Sequence, residues 1–194
     1  MSDPYMGADG VLLNRLGLTE RGVLERVEFR LSLMNAAPAL AMAESAEHLN
    51  VAMWCAIHWR LFGLLYDWAG ELRKVEMSKR ESWFCPVAWI NGYADREVLP
   101  LFGERAKAAA DDERAFAVAL AECWGELNFT HPFREGNGRA THIFVTALAR
   151  RSGRTIDWNK VDATEEMLAG EQSTRGKYDG YKKILSQAMR RYAG

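Results

Sequence analysis

Residues 131–142 read HPFREGNGRATH, and they bring together groups suited to phosphate chemistry. The imidazole of His131 titrates near neutral pH and can serve as a general base. Glu135 offers hard carboxylate oxygens of the kind Mg²⁺ takes, usually alongside substrate phosphates. Gly136-Asn137-Gly138 makes a tight turn whose bare backbone N–H groups open onto a helix N-terminus. Unpaired donors and a partial positive charge there favour phosphate. With the Asn137 side chain, this turn would cradle phosphate oxygens, and Arg139 would grip a terminal phosphate bidentately. His142 and Thr146 follow Arg139 at i+3 and i+7, on the face that the apolar stripe leaves free. Singly, a Gly-Asn-Gly is commonly only a turn and a histidine beside proline only a packed ring. Few structural needs call for His, Glu, two Gly, Asn and Arg within nine residues.

Two helices must hold that stretch. Upstream, Phe116, Leu120, Cys123, Trp124 and Leu127 recur at helical spacing, and Pro132 stops the helix. Downstream, Ala140, Ile143, Phe144, Ala147 and Leu148 form a second apolar stripe, which Gly153 ends. Nearer the N-terminus, Thr19 is placed to cap a helix with a seam of Leu24, Val27, Leu31 and Met34, ended by Pro38. Asn50 caps the next, which carries Trp54, His58, Leu61 and Phe62 and closes at Gly70; His58 reads as a satisfied core histidine. From Lys74 to Met77 polar and apolar residues alternate, and Trp83 to Cys85 return after a polar tip, the pattern of one short β-hairpin. An isolated hairpin is marginal in water, so it must lie on helices, and its outer edge can accept a strand. Pro86 suits the first turn of a helix that Pro100 interrupts, and a final helix runs from Tyr178 to Tyr192.

Composition excludes several classes. The 194 residues are 48% hydrophobic and 26% charged, the balance of a globular chain with a real core. A net charge of −1 supplies no electrostatic footprint for nucleic acid. Cys55, Cys85 and Cys123 lack metal-ligand spacing and read as reduced core thiols. The N-terminal MSDPYMGADG lacks the features of a signal peptide, and no apolar run is long enough to span a bilayer, so a cytoplasmic setting without membrane contact is expected. Residues 1–15 read as a loose arm, and 16–194 as a single domain.

The stretch resembles the signature of the Fic family, H-x-F-x-[D/E]-G-N-G-R-x-x-R, matching it at His131, Phe133, Glu135, Gly136, Asn137, Gly138 and Arg139. The order of features is also similar from about Leu16 to Tyr192. It includes the segment Ile57 to Arg73, Phe84-Cys85-Pro86, and a Ser173-x-x-Gly176 turn before the last helix. The resemblance implies a mainly α, Fic-type helical bundle with one short β-hairpin, the flap. It implies transfer of AMP from ATP to a Ser, Thr or Tyr hydroxyl of a target protein, releasing pyrophosphate. In that picture His131 is the base and Glu135 the Mg²⁺ ligand. Phe133, Gly136, Asn137, Gly138, Arg139, His142 and Ser173 surround the nucleotide. Val75, Met77, Ser78 and Lys79 form the flap on which the target segment docks by strand addition.

His142 departs from the family, which has arginine there to contact the γ-phosphate and to pair with an inhibitory glutamate on an [S/T]-x-x-x-E-[G/N] helix. Imidazole offers at most two donors against five. Ser45-x-x-x-Leu49-Asn50 and Thr164-x-x-x-Leu168 both lack that glutamate, so the resemblance points to the toxin-like branch in which a separate small antitoxin supplies the helix. Lys177 and Gly180 also stand where the family usually has an acidic residue and proline. Three readings remain open: AMP transfer; another phosphate-containing group moved by the same scaffold; and a Fic fold of reduced activity acting as a binding module.

Overall fold

The computed structural model describes residues 3–79 and 82–192. Helices α1 (Arg21–Ser45) and α2 (Val51–Phe62) precede a two-stranded hairpin, β1 (Ser78–Lys79) and β2 (Ser82–Trp83). Then come α3 (Val87–Tyr93), α4 (Leu99–Ala108), α5 (Glu113–Thr130), α6 (Asn137–Arg151), β3 (Arg154–Ile156), α7 (Ala163–Ser173), α8 (Asp179–Ala188) and β4 (Met189–Arg191). The chain is thus mainly α, with a short antiparallel flap. Helices α5 and α6 lie at the centre: α6 packs on α1, α2 and α5, while α5 also packs on α4, α7 and α8. The stripes read from the sequence are the faces buried here, with Phe116, Leu120, Trp124, Leu127, Ala140 and Phe144 all inside.

Several boundaries differ from expectation, each for a physical reason. Glu20, not Thr19, precedes α1 as its N-cap. Pro38 does not end α1 but lies inside it. Proline removes the N–H that would reach the carbonyl of Met34, and Met34 is exposed, so water can take that carbonyl. The seam of α1 holds at Leu24, with Val27 and Leu31 partly buried against the core, but Met34 faces solvent and the polar Glu28 and Ser32 are buried beside that seam. Buried partners for Glu28 override apolar periodicity here. Helix α2 ends at Gly63 instead of Gly70. Pro86 is the N-cap of α3, one residue earlier than its expected place. Pro100 does not break the run, because it stands in the first turn of α4, where a missing N–H is tolerated. A π-helical segment, Ala94–Val98, directly precedes α4 and joins α3 to it.

The hairpin lies further along than the alternation suggested. Its register pairs Ser78 with Trp83 and Lys79 with Ser82, and the Phe84 N–H reaches the Met77 carbonyl at 3.2 Å. Val75 precedes the strand and packs partly on the core. A second ladder, β3 with β4, pairs Arg154 with Arg191, Thr155 with Arg190 and Ile156 with Met189. These strands are too short and charged to show a period of two, and the last helix consequently stops at Ala188 instead of running to Tyr192.

The loose arm is corrected as well. Tyr5 is buried, its ring meets Trp68 edge-on at 5.4 Å, and its hydroxyl accepts the Lys74 N–H at 3.0 Å. The Leu13 N–H returns to the Tyr5 carbonyl at 2.8 Å, folding the segment on itself. Truncating a buried aromatic typically costs about 3 kcal/mol. Tyr5→Ala should therefore lower the unfolding free energy by that order in a urea titration. A midpoint equal to that of the unaltered chain would show that residues 5–13 add nothing to the core.

Candidate active site

The loop between α5 and α6 is built around satisfied backbone groups. His131 ends α5 with φ 42°, ψ 59°, and among the described residues it alone is a non-glycine with positive φ. Left-handed backbone of this kind is common just past a helix end but costs energy for a residue with a Cβ. Its N–H reaches the Leu127 carbonyl at 3.2 Å. Its ring stacks on Phe84 at 3.7 Å with planes 14° apart.

Phe133 is buried, packed at 3.9 Å on the His58 ring and edge-on to Trp54 at 5.8 Å. It anchors the loop in the core instead of facing a ligand. Asn137 closes the loop with both ends of its amide, accepting from the Phe133 N–H at 2.9 Å and donating to the Phe133 carbonyl at 2.7 Å. That side chain was expected in the phosphate cradle; it is used up inside the protein, leaving only the Asn137 backbone to face the turn.

Gly136 and Gly138 differ in what demands glycine. Gly136 sits at φ 78°, and a Cβ there would lie 2.5 Å from the Phe62 ring. Close packing and backbone conformation both require it. At Gly138 an added Cβ would meet nothing within 4 Å. Gly136 caps α6 without any side-chain acceptor, so nothing from a cap residue covers the first N–H groups of the helix. Glu135 is exposed at the side chain, and its Oε1 accepts the Gly136 N–H at 2.8 Å.

Arg139 and His142 of α6 are each held by a carboxylate from a different helix. Arg139 pairs with the buried Glu28 of α1 and lies over the Phe62 ring at 4.9 Å. Glu28 also accepts the Tyr66 hydroxyl; burial first, and Glu28 second, push that phenol up, so it stays a donor. His142 meets Glu166 of α7 at 2.5 Å and stacks on Trp158 at 3.9 Å. Thr146 is buried and accepts from the Trp158 indole at 2.9 Å, so the three do not share a free face.

The motif's side chains are divided between two clefts. His131 opens on one of about 230 Å³, bordered by Phe84, Asn128, Glu166 and Gly170. Glu135, Arg139 and Glu28 border another of about 460 Å³, together with Arg134 and residues of the N-terminal segment. Ser173 is buried beneath the first cleft, donating to the Gly170 carbonyl at 2.9 Å and accepting from Asn128 at 3.1 Å. Thr174, not Ser173, lines that cleft. Met77 and Ser78 lie at the start of the hairpin; Lys79 is in β1, and its side chain is outside the described residues.

The Fic/DOC family model matches residues 48–149. The chain belongs to the Fic/DOC family. It is 34% identical over 191 residues to the protein adenylyltransferase VbhT of Bartonella schoenbuchensis, covering 98% of this chain and 39% of that one. It thus spans well under half of that relative. It is 33% identical over 152 residues to y4lH of Sinorhizobium fredii, named a probable protein adenylyltransferase, covering 78% and 77%. The N-terminal Fic domain of a Bartonella quintana cell filamentation protein, solved with bound ADP, superposes with a TM-score of 0.81 at 20% identity, covering 97% of this chain and 95% of that one. The last comparison establishes the fold.

Two residues that brace the Fic loop lie in the segment Ile57 to Arg73, but the sequence did not single them out for that role. Arg73 donates from Nε to the His131 carbonyl at 2.8 Å. His58, expected only to be satisfied, is satisfied by the motif itself. The Gly70 N–H donates to its Nδ1 at 2.8 Å, so Nε2 carries the proton and donates to the Glu135 carbonyl at 2.9 Å. Burial, with the charge of Arg139 as a lesser cause, lowers the His58 pKa to about 4.

The unfolded chain therefore takes up a proton near pH 6.5 that the folded chain refuses until about pH 4. Stability due to this residue is present above the unfolded value and is lost as pH falls between the two. At ~1.4 kcal/mol per pH unit the loss is about 3 kcal/mol. His58→Gln should be less stable at pH 7 but flatter between pH 7 and 4 in chemical denaturation. Parallel curves for the two proteins would mean that His58 takes its proton equally in both states.

Proposed function

We propose that this Fic/DOC chain is a protein adenylyltransferase, moving AMP from ATP to a Ser, Thr or Tyr hydroxyl of another protein. The observation that carries the reading is that His131 lines a cleft, five residues before Gly136, which starts α6 without a capping side chain. Relatives over nearly the whole chain bear the adenylyltransferase name. His131 would accept the proton of the attacking hydroxyl as its oxygen bonds to the α-phosphorus, and the bond to the pyrophosphate oxygen would break. The N–H groups that begin α6 would hold the phosphate oxygens where negative charge gathers.

Mg²⁺ suits the donors present. Among the described residues no cluster of three or more His, Cys, Asp or Glu could form a protein-only cage. Mg²⁺ needs none, since it binds through one or two carboxylates plus phosphates. Glu135 is the exposed carboxylate beside the turn and would hold the ion, which supplies neutralisation of phosphate charge. Arg139 would have to leave Glu28, and His142 would have to leave Glu166, before either could reach a phosphate. Those two pairs also favour the alternative of a quiet binding module.

The target segment would add as a strand to the hairpin edge at Met77 to Lys79. A separate antitoxin remains the source of any inhibitory helix in this reading. No helix among the described residues is long and apolar enough to cross a membrane.

Removing a general base typically costs ~10²–10⁴-fold. His131→Ala should lose that much label transfer from α-labelled ATP to lysate proteins, with its fold intact by circular dichroism. Label transfer by the alanine variant at the unaltered rate would sink the assignment, and tight partner capture without any label would favour the binding module.

A second test separates the glycines. Gly138→Ala should leave the melting temperature unchanged or higher, because alanine stabilises a helix by roughly 0.5–1 kcal/mol. It should still weaken ATP binding about tenfold in calorimetry by crowding the helix start. Gly136→Ala should instead unfold more easily, by roughly 2 kcal/mol or more. Unchanged ATP affinity in Gly138→Ala would remove the N-terminus of α6 as the phosphate seat.

A further inference from the structure

Arg73 is the most deeply buried arginine or lysine among the described residues, with only 2% of its surface exposed. Among the described residues its ion-pair partner is Glu76 at 3.8 Å, on an exposed side chain. A buried guanidinium whose counter-ion is this distant and exposed needs neutral acceptors as well, and here each arm takes a different backbone carbonyl. Nε donates to His131 at 2.8 Å, Nη1 to Val75 at 2.7 Å and Nη2 to Cys85 at 2.5 Å. The Arg73 backbone N–H adds a fourth bond, to the Pro132 carbonyl at 2.7 Å.

Those acceptors are not a random set. Val75 leads into the hairpin and Cys85 leads out of it, so two arms of the fork clasp its base. The third holds the carbonyl of the residue proposed as base, at the one non-glycine position of positive φ among the described residues. Next to Cys85, Phe84 lays its ring on the His131 imidazole. One rigid, planar group thus sets the distance between the histidine and the strand pair.

We propose that Arg73 is a positioning residue that registers the hairpin against His131, so that a hydroxyl carried on the hairpin edge meets the imidazole. This rests on the adenylyltransferase reading for its kinetic consequence, though not for its structural one. Lysine keeps the charge but offers a compact ammonium instead of a planar fork, and cannot reproduce three divergent in-plane bonds. Glutamine loses the charge as well.

The test uses the whole chain with Arg73→Lys and Arg73→Gln. Ring-current shifts of the four histidines are read by NMR alongside transfer from α-labelled ATP to lysate proteins. In Arg73→Lys the His131 ring signal should move toward its unstacked position while that of exposed His48 stays. Transfer should fall about 10–100-fold, as a misplacement near 1 Å does, with ATP affinity changed less than about threefold. A general loss of stability would not select His131 among the histidines, nor spare ATP binding.

Folded variants with an unmoved His131 signal would overturn the proposal, whatever their activity. If the unaltered chain transferred no label, the adenylyltransferase reading would fail while the NMR comparison still decided Arg73. If neither variant folded, the unaltered protein would decide. Its Arg73 Nε–H should exchange slowly with solvent and show a through-bond coupling to the His131 carbonyl, and fast exchange without coupling would overturn the assignment.

Discussion

A stretch of backbone without secondary structure, enclosed by helices, has to find a partner for every polar group it buries. The loop from His131 to Gly136 meets much of that demand with side chains, its own and those of neighbouring elements. The carbonyls of His131 and Pro132 go to Arg73, both backbone groups of Phe133 go to Asn137, and the carbonyl of Glu135 goes to His58. The Gly136 N–H goes to the Glu135 carboxylate. The rest of the site depends on this accounting. It lets the chain leave α5 in a left-handed turn, drop Phe133 into the core and start α6 without a capping side chain. The loop's shape is therefore fixed by hydrogen bonds of normal length, each worth about 1 kcal/mol when made and more when left unmade.

The sequence spacing carried the parts of this that are local. Two apolar stripes ending at a proline and beginning after Gly-Asn-Gly are enough to place α5, α6 and the turn, because periodicity and turn chemistry act within a few residues. What the spacing could not carry are partners fixed by tertiary packing. Glu28 breaks the apolar seam of α1, yet it is inside because Arg139 and Tyr66 meet it there. His58 lies on an apolar stripe and was readable as satisfied, but its acceptor is 77 residues away. Tyr5 looked like part of a polar arm because its neighbours are polar, and one aromatic ring suffices to bind such a segment to the core. The strands at 154–156 and 189–191 are too short to show an alternation: only one paired position, Ile156 with Met189, is apolar and buried.

The electrostatics of α6 have a consequence for how its N-terminus could meet an anion. The cap residue of α6, Gly136, gives its own N–H to Glu135 but has no side chain to cover the N–H groups that follow. Arg139 and His142 further along are each engaged by a carboxylate, Glu28 and Glu166. A polyanion seated on the turn would meet backbone donors that are already in place. Contacts to the side chains would require exchanging an existing ion pair for a new one, which returns only the difference between the two. The seat nearest His131 is thus set by backbone geometry, and the outer phosphates would depend on how readily α1 and α7 release their carboxylates.

Stiffness is distributed accordingly. The His131 loop is tied from α2, from Arg73 and from α6, each by buried groups, whereas the hairpin has two paired residues per strand and an exposed Trp83. An isolated pair that short has little stability of its own. Its base, however, is clasped by the same guanidinium that holds the His131 carbonyl. A strand added along its edge would extend a ladder whose inner end is held by that guanidinium. Backbone pairing of that kind fixes where a target residue lies without reading its side chain, since main-chain bonds form with any sequence. Selection among targets would then have to come from side chains around the hairpin, such as Trp83, and the distance from the added strand to His131 would be the same for every target.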